Sequence, residues 1–170
     1  MRVAALLVLL VAASHPAAAA QAASPAQAAS AEPSGPTASA KPAVATVLKD
    51  FGLFGAWAVN CAAPATPANP HVGIVETQPN TVIERHDLGP EYETNSYRVI
   101  AAEPLSKTRV SVDVVFKPAT ERPERQRLIF RVEHDTRRTM YNRVETGAVV
   151  VKDGIVVGRG ARTPLLHRCG

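Results

Sequence analysis

Four histidines follow residue 20, and they are the side chains best suited to bind a metal ion or to transfer protons. No two of them stand at i, i+2 on a strand or at i, i+4 on a helix, the spacings that bring two metal ligands together. Two of them precede an aspartate, but neighbours on a strand point to opposite faces. The spacing therefore predicts surface or turn histidines, with no metal site, no catalytic residue and no cofactor. The four are His71, His86, His134 and His167.

Motifs of the common enzyme classes are also missing. The chain contains no G-x-S-x-G, no H-E-x-x-H and no glycine-rich phosphate loop. An enzyme would need histidines and carboxylates from distant parts of the chain to converge in a cleft. The sequence therefore predicts a non-enzymatic protein.

One segment, residues 137–143, combines cations with an amide and an aromatic ring on an alternating pattern. On a regular strand, Arg138 and Asn142 share one face, and Tyr141 lies on the other. If the first face points inward, it places a cation and an amide in an apolar cavity, a site suited to an anionic amphiphile. The alternative is an edge strand that its charges protect from aggregation. The candidate ligand-binding residues are Arg138, Tyr141 and Asn142, together with Trp57.

The two cysteines, Cys61 and Cys169, predict one disulfide bond. Neither stands in a C-x-x-C or zinc-like spacing, and an oxidising compartment favours pairing. The bond would close a loop of about a hundred residues and tie the first core strand to the C-terminal end of the chain.

Export is predicted by the N-terminal residues. Arg2 precedes the apolar stretch 3–13, which is too short to span a bilayer, and Ala18-Ala19-Ala20 offers a cleavage site. Residues 1–20 are therefore read as a bacterial-type signal peptide, which implies a periplasmic or secreted protein without an integral membrane span. Residues 21–42 are rich in Ala, Pro and Ser and predict a disordered linker.

The remaining residues, 43–170, predict a single β-rich domain. Residues 42–51 have helical spacing, and a two-residue period then places Trp57, Val59 and Cys61 on one face of the first strand. Val110, Val112 and Val114 alternate with polar residues, the strongest strand signal in the chain. The Asp153-Gly154 dipeptide predicts a type I′ hairpin between 148–152 and 155–158. About eight short strands and one short helix predict an antiparallel up-and-down β-barrel, with a β-sandwich as the alternative.

The balance of charge argues against nucleic acid as a partner. Lys and Arg total 19, Asp and Glu total 15, and the net charge is +4. Several of the arginines in the C-terminal half alternate with apolar residues, as on the solvated face of a sheet.

The segment from Phe51 to Trp57 resembles the entrance to lipocalin-like (calycin) barrels, in which a short helical turn precedes a G-x-W motif, here Gly55-Ala56-Trp57. The resemblance implies that Trp57 seals one end of the barrel and packs against a basic side chain from the end of the last strand. Arg159 and Arg162 are the candidates for that partner. Periplasmic inhibitors of secreted metalloproteases share the barrel class, but their disulfide links positions close together in the chain.

The function predicted from these features is that of an exported binding module for a small apolar or amphiphilic ligand. The alternative is a periplasmic protein-interaction or protease-inhibitor module, which would act through its linker or its exposed loops and would have an envelope protein as its partner.

Overall fold

A computed structural model describes residues 42–170. The predicted signal peptide and all but the last residue of the predicted linker lie outside this range. Within it, no helix is long and apolar enough to cross a membrane. The elements are α1 Val44–Asp50, β1 Gly55–Ala58, β2 His71–Gln78, β3 Thr81–Asp87, β4 Asn95–Ser106, β5 Arg109–Phe116, β6 Glu124–Glu133, β7 Thr136–Val144, β8 Val149–Lys152, β9 Ile155–Val156 and β10 Leu166–Cys169.

Eight of these strands form a closed antiparallel β-barrel. From β1 to β7, each strand pairs with the next one in the chain, and β10 closes the barrel by pairing with both β1 and β7. Strands β8 and β9 extend the sheet from the second half of β7. The prediction of an up-and-down barrel is confirmed, and the β-sandwich alternative is wrong.

The barrel interior is built mainly from β-branched side chains, which pack well on a pleated surface. Val110, Val112 and Val114 on β5 are almost completely buried, whereas Ser111 and Asp113 between them are half-buried. This alternation is the one that the sequence predicted. It places one face of each strand against the same core, as closure of a small barrel requires.

Helix α1 and the turn after it supply apolar side chains to one end of this core. Val47 and Leu48 of the helix and Leu53 of the turn are buried in the same cluster as Trp57. The indole Nε1 of Trp57 donates a hydrogen bond of 3.0 Å to the carbonyl of Leu53. Trp57 is fully buried, so the polar hydrogen of its side chain has a partner inside the protein, as a buried indole requires.

The disulfide Cys61–Cys169 is present, with a Cα–Cα distance of 5.5 Å. Its position differs from what the two-residue period from Trp57 through Val59 predicts for Cys61, namely the same core-facing side of the first strand. Strand β1 ends at Ala58, and both Val59 and Cys61 are exposed. The reason is that a compact loop begins at Asn60. The backbone N–H of Asn60 donates a hydrogen bond to the side-chain Oδ1 of Asn69. The disulfide therefore joins a surface loop to the last strand.

The β8–β9 hairpin confirms the turn that Asp153-Gly154 predicted. Both residues have positive φ, 52° and 74°, as a type I′ turn needs. The hairpin is not the end of the barrel, however, because β9 ends at Val156 and the chain crosses residues 157–165 before β10 begins. The sequence prediction had no strand at β10.

Candidate functional site

Trp57 lies at the end of the barrel that α1 covers, away from the other three candidate ligand-binding residues. Arg168 on β10 lies over its ring, with the guanidinium carbon 4.4 Å from the ring centroid. Arg168 also donates hydrogen bonds to the carbonyls of Phe54, at 2.8 Å, and Gly52. The predicted partners, Arg159 and Arg162, are exposed residues of the 157–165 segment. That prediction was wrong because the last strand is β10, so the cation comes from there.

A β-bulge in β7 separates the other three predicted site residues. Phe130 pairs with Thr139 and Ile129 pairs with Tyr141, so Met140 is the extra residue. A bulge of this kind shifts the alternation of side chains by one position. Arg137 and Thr139 face inward before it, and Asn142 faces inward after it. Arg138 lies on the outer side beside Arg131 and Glu133, and Tyr141 lies opposite Ile129 on the outer face. The predicted pairing of Arg138 with Asn142 on one face is therefore wrong.

Inside the barrel, a cavity of about 160 Å³ lies between the core and the end remote from α1. Its wall is mixed, with apolar side chains from β5, β6 and β8 and polar ones from β3, β4 and β7. His86, Tyr97 and Asn142 in this wall are only half-buried, so the cavity lies near solvent. The lining residues are Glu84, His86, Tyr97, Val114, Leu128, Phe130, Thr139, Asn142, Val151, Thr163 and Pro164.

The charged group of the cavity wall is Glu84, which is 5% exposed and bridges two basic side chains. Its Oε1 lies 2.5 Å from Nη2 of Arg137 and 2.6 Å from Nε2 of His86. Arg137 is itself 3% exposed and packs its guanidinium against the Phe130 ring, with its central carbon 4.6 Å from the centroid. Glu84 and Arg137 thus neutralise each other inside the protein, as buried charges must.

Two pKa values in the site are strongly shifted. Burial alone raises the pKa of Glu84, but the charge of Arg137 and the hydrogen bonds from His86 and Arg137 outweigh it and lower the pKa to about 2. Burial, together with the negative charges of Glu84 and Glu124, raises the pKa of Tyr97 to about 12. At neutral pH the site therefore holds an ionised carboxylate and a protonated phenol.

A chain of side-chain hydrogen bonds fixes the orientation of Asn142. Gln126 Nε2 donates to Glu124 at 3.1 Å, and Asn142 Nδ2 donates to Gln126 Oε1 at 3.1 Å. An ionised carboxylate only accepts hydrogen bonds, so Glu124 holds the NH₂ group of Gln126 and turns its oxygen towards Asn142. Asn142 must then present its NH₂ group to Gln126. Its Oδ1 is buried and accepts no hydrogen bond from the described residues.

The sequence interpretation missed the Glu84–His86–Arg137 cluster. The available signal was Glu84-x-His86, because residues two apart on a strand share a face. The prediction considered only the adjacent pair His86-Asp87, whose side chains point to opposite faces of a strand. Arg137 could not be found in this way, since it is 53 positions from Glu84 in the chain. No group of three possible metal ligands occurs among residues 42–170.

No family model, curated protein or solved structure matches this chain.

Proposed function

We propose that this protein is an exported, non-enzymatic binding module that holds one small molecule inside its barrel. The observation that carries the proposal is the interior cavity of about 160 Å³, whose wall combines apolar side chains with a few polar groups. That combination is typical of ligand sites, in which apolar contact supplies affinity and a few polar atoms fix orientation.

The volume limits the size of the ligand. Pockets for drug-sized ligands measure about 300–1,000 Å³, well above the 160 Å³ available here. An engineered apolar cavity of about 150 Å³ takes benzene. The ligand that fits is therefore a molecule of about one ring, and the chain of a fatty acid is too large to be enclosed.

The charges of the wall favour a neutral ligand. The predicted site for an anionic amphiphile needed an inward-facing Arg138, which lies outside. Arg137 does face inward, but Glu84 already neutralises it at 2.5 Å. An anion in the cavity would meet the carboxylate of Glu84 without a free cation nearby among the described lining residues, and burying an unpaired charge costs several kcal/mol.

The disulfide supports the export part of the proposal, because disulfides persist in oxidising compartments such as the periplasm. The signal peptide itself stays a prediction. The protein-interaction alternative, which would act through the linker or through exposed loops, also stays a prediction, and the linker residues 21–42 lie almost wholly outside the described range.

An NMR titration tests the proposal. The methyl resonances of Val114, Leu128 and Val151 are followed while benzene, fluorobenzene or dodecanoate is added. We expect saturable shifts of these methyls with the one-ring compounds at a 1:1 ratio, and no such saturation with dodecanoate. Native mass spectrometry of the freshly purified protein then searches for a bound molecule of similar size.

A variant that fills the cavity is the critical control. Val151→Phe places a larger side chain in the wall and should abolish binding of the one-ring compounds. Val75→Phe makes the same change on the outer surface, where Val75 is 46% exposed, and should leave binding unchanged. If no one-ring compound gives saturable shifts in the unmodified protein, the proposal fails.

A further inference from the structure

We infer that the outer side of strands β5, β6 and β7 binds a membrane surface that carries anionic headgroups. The inference concerns the outside of the barrel, so it goes beyond the proposed function and does not depend on the interior cavity. Six arginines point outward from these three strands and form what we call the arginine face: Arg109, Arg125, Arg127, Arg131, Arg138 and Arg143.

The register of the strands places these arginines side by side. Arg131 on β6 pairs with Arg109 on one side and with Arg138 on the other, so one row across the three strands consists of arginine alone. In a second row, Arg127 pairs with Arg143. Like charges directly opposite each other on a sheet are destabilising. The fold therefore gains nothing from these neighbours, whereas a ligand with several negative charges is attracted by them.

Carboxylates neutralise only part of the arginine face. Asp113 and Glu133 each form an ion pair of 2.6 Å with one of its arginines. Glu103 on β4 and Glu145 after β7 border the face without forming an ion pair with it. The arginines that form no ion pair within residues 42–170, and whose charge is available to a ligand, are Arg109, Arg125, Arg138 and Arg143.

The charges are spread over an area and not along a line. Neighbouring strands lie about 4.8 Å apart, so a row across β5, β6 and β7 is about 10 Å long. Arg127 of one row and Arg131 of the other are separated by four positions on β6, which places the two rows about 14 Å apart. A linear polyanion that follows one row leaves the other uncovered, whereas the headgroups of a bilayer meet both rows.

Exposed apolar side chains lie beside the arginines. Ile100 is exposed and lines the same surface groove as Arg127 and Arg143. Leu165 is also exposed and lines a second groove with Arg131. Binding at a bilayer surface combines apolar contact with the attraction between cations and anionic lipids, and a guanidinium donates two parallel hydrogen bonds to a phosphate. The arginine face and its border supply both kinds of contact.

A vesicle flotation assay tests the inference. The protein is mixed at low ionic strength with vesicles of phosphatidylglycerol and phosphatidylcholine in equal parts, or with vesicles of phosphatidylcholine alone, which carry no net charge. We expect the protein to float with the mixed vesicles only. We also expect added NaCl to release it, because salt screens the attraction between exposed charges.

A double variant tests whether the arginine face makes the contact. Arg109→Gln with Arg143→Gln removes two exposed cations and should weaken binding to the mixed vesicles about 25-fold, since each arginine near an anionic surface contributes about fivefold. The matched control, Lys49→Gln with Arg85→Gln, removes the same charge from exposed positions on α1 and β3. It should weaken binding by less than about threefold, because those charges lie away from the contact and are screened.

Each other outcome overturns the inference. Failure to float with the mixed vesicles, or equal flotation with phosphatidylcholine alone, excludes recognition of anionic headgroups, and both results come from the unmodified protein. An equal loss in the two double variants would mean that net charge alone explains the attraction. Release by long-chain polyphosphate, at the same concentration of phosphate groups as the lipid, would show a preference for a linear polyanion. None of these results bears on the proposed function, which the NMR titration tests separately.

Discussion

Replacing Glu84 with Gln tests whether the buried ion pair is a requirement of this fold. The substitution keeps the shape of the side chain and removes its charge, which leaves Arg137 as an uncompensated cation that is 3% exposed. Breaking a buried pair by removing one partner costs about 3–5 kcal/mol. The pKa gives an independent figure, since a change from 4.5 to about 2 corresponds to about 3 kcal/mol at 1.36 kcal/mol per pKa unit.

A surface pair of similar geometry provides the matched control. Arg127 contacts Asp113 with N–O distances of 2.6 and 2.9 Å, but the two side chains are 51% and 32% exposed. Exposed pairs contribute about 0–1 kcal/mol. We therefore expect Asp113→Asn to lower the free energy of unfolding by less than about 1 kcal/mol, even though its shorter hydrogen bond, 2.6 Å, equals the distance between Glu84 and His86.

Urea denaturation at pH 7, with the disulfide intact, measures both variants. A double variant, Glu84→Leu with Arg137→Met, removes both charges and should recover most of the stability that Glu84→Gln loses, because an apolar pair needs no compensation. The reasoning is refuted if Glu84→Gln costs no more than Asp113→Asn, or if the double variant is less stable than Glu84→Gln.

Three further predictions concern pH, the disulfide and the closed end of the barrel. Because the pKa of Glu84 is lowered on folding, its contribution to stability is present above about pH 4.5 and is lost as the pH falls towards 2. Between these pH values, the free energy of unfolding should therefore decrease less steeply with falling pH in Glu84→Gln than in the unmodified protein. Cys169→Ser opens a loop with a sequence separation of 108 residues and should lower the free energy of unfolding by about 2–4 kcal/mol, and an unchanged urea midpoint would contradict this. Arg168→Met removes the cation over Trp57 and two hydrogen bonds to backbone carbonyls, so we expect it to lower the free energy of unfolding by about 2 kcal/mol. The fluorescence of the single tryptophan follows the unfolding. An equal loss in Arg168→Lys would show that the guanidinium geometry matters more than the charge.

Several elements of this fold are predicted by patterns among residues that are close together in the sequence. The alternation of Val110, Val112 and Val114 and the Asp153-Gly154 turn each depend on neighbouring residues only, so the strand and the hairpin could be predicted. The pairing of the two cysteines needed only the compartment argument, although the position of Cys61 outside β1 depended on the loop held by Asn69.

The site could be predicted only in part, because its geometry depends on features that a period of two does not contain. The bulge at Met140 changes which side chains of β7 face inward. Asn142 therefore lines the cavity, whereas Arg138 lies on the outer side. Strand β10 has only four residues and is defined by its partners on β1 and β7, so local patterns do not identify Arg168 as the cation over Trp57. Such long-range pairings have no local sequence signal.

A crystal structure of the protein grown with saturating fluorobenzene tests the central claim most directly. We expect density for one ring inside the barrel, between Tyr97 and Leu128. A barrel interior that contains no fluorobenzene under these conditions, with the cavity filled by ordered water or by shifted side chains, would contradict the account.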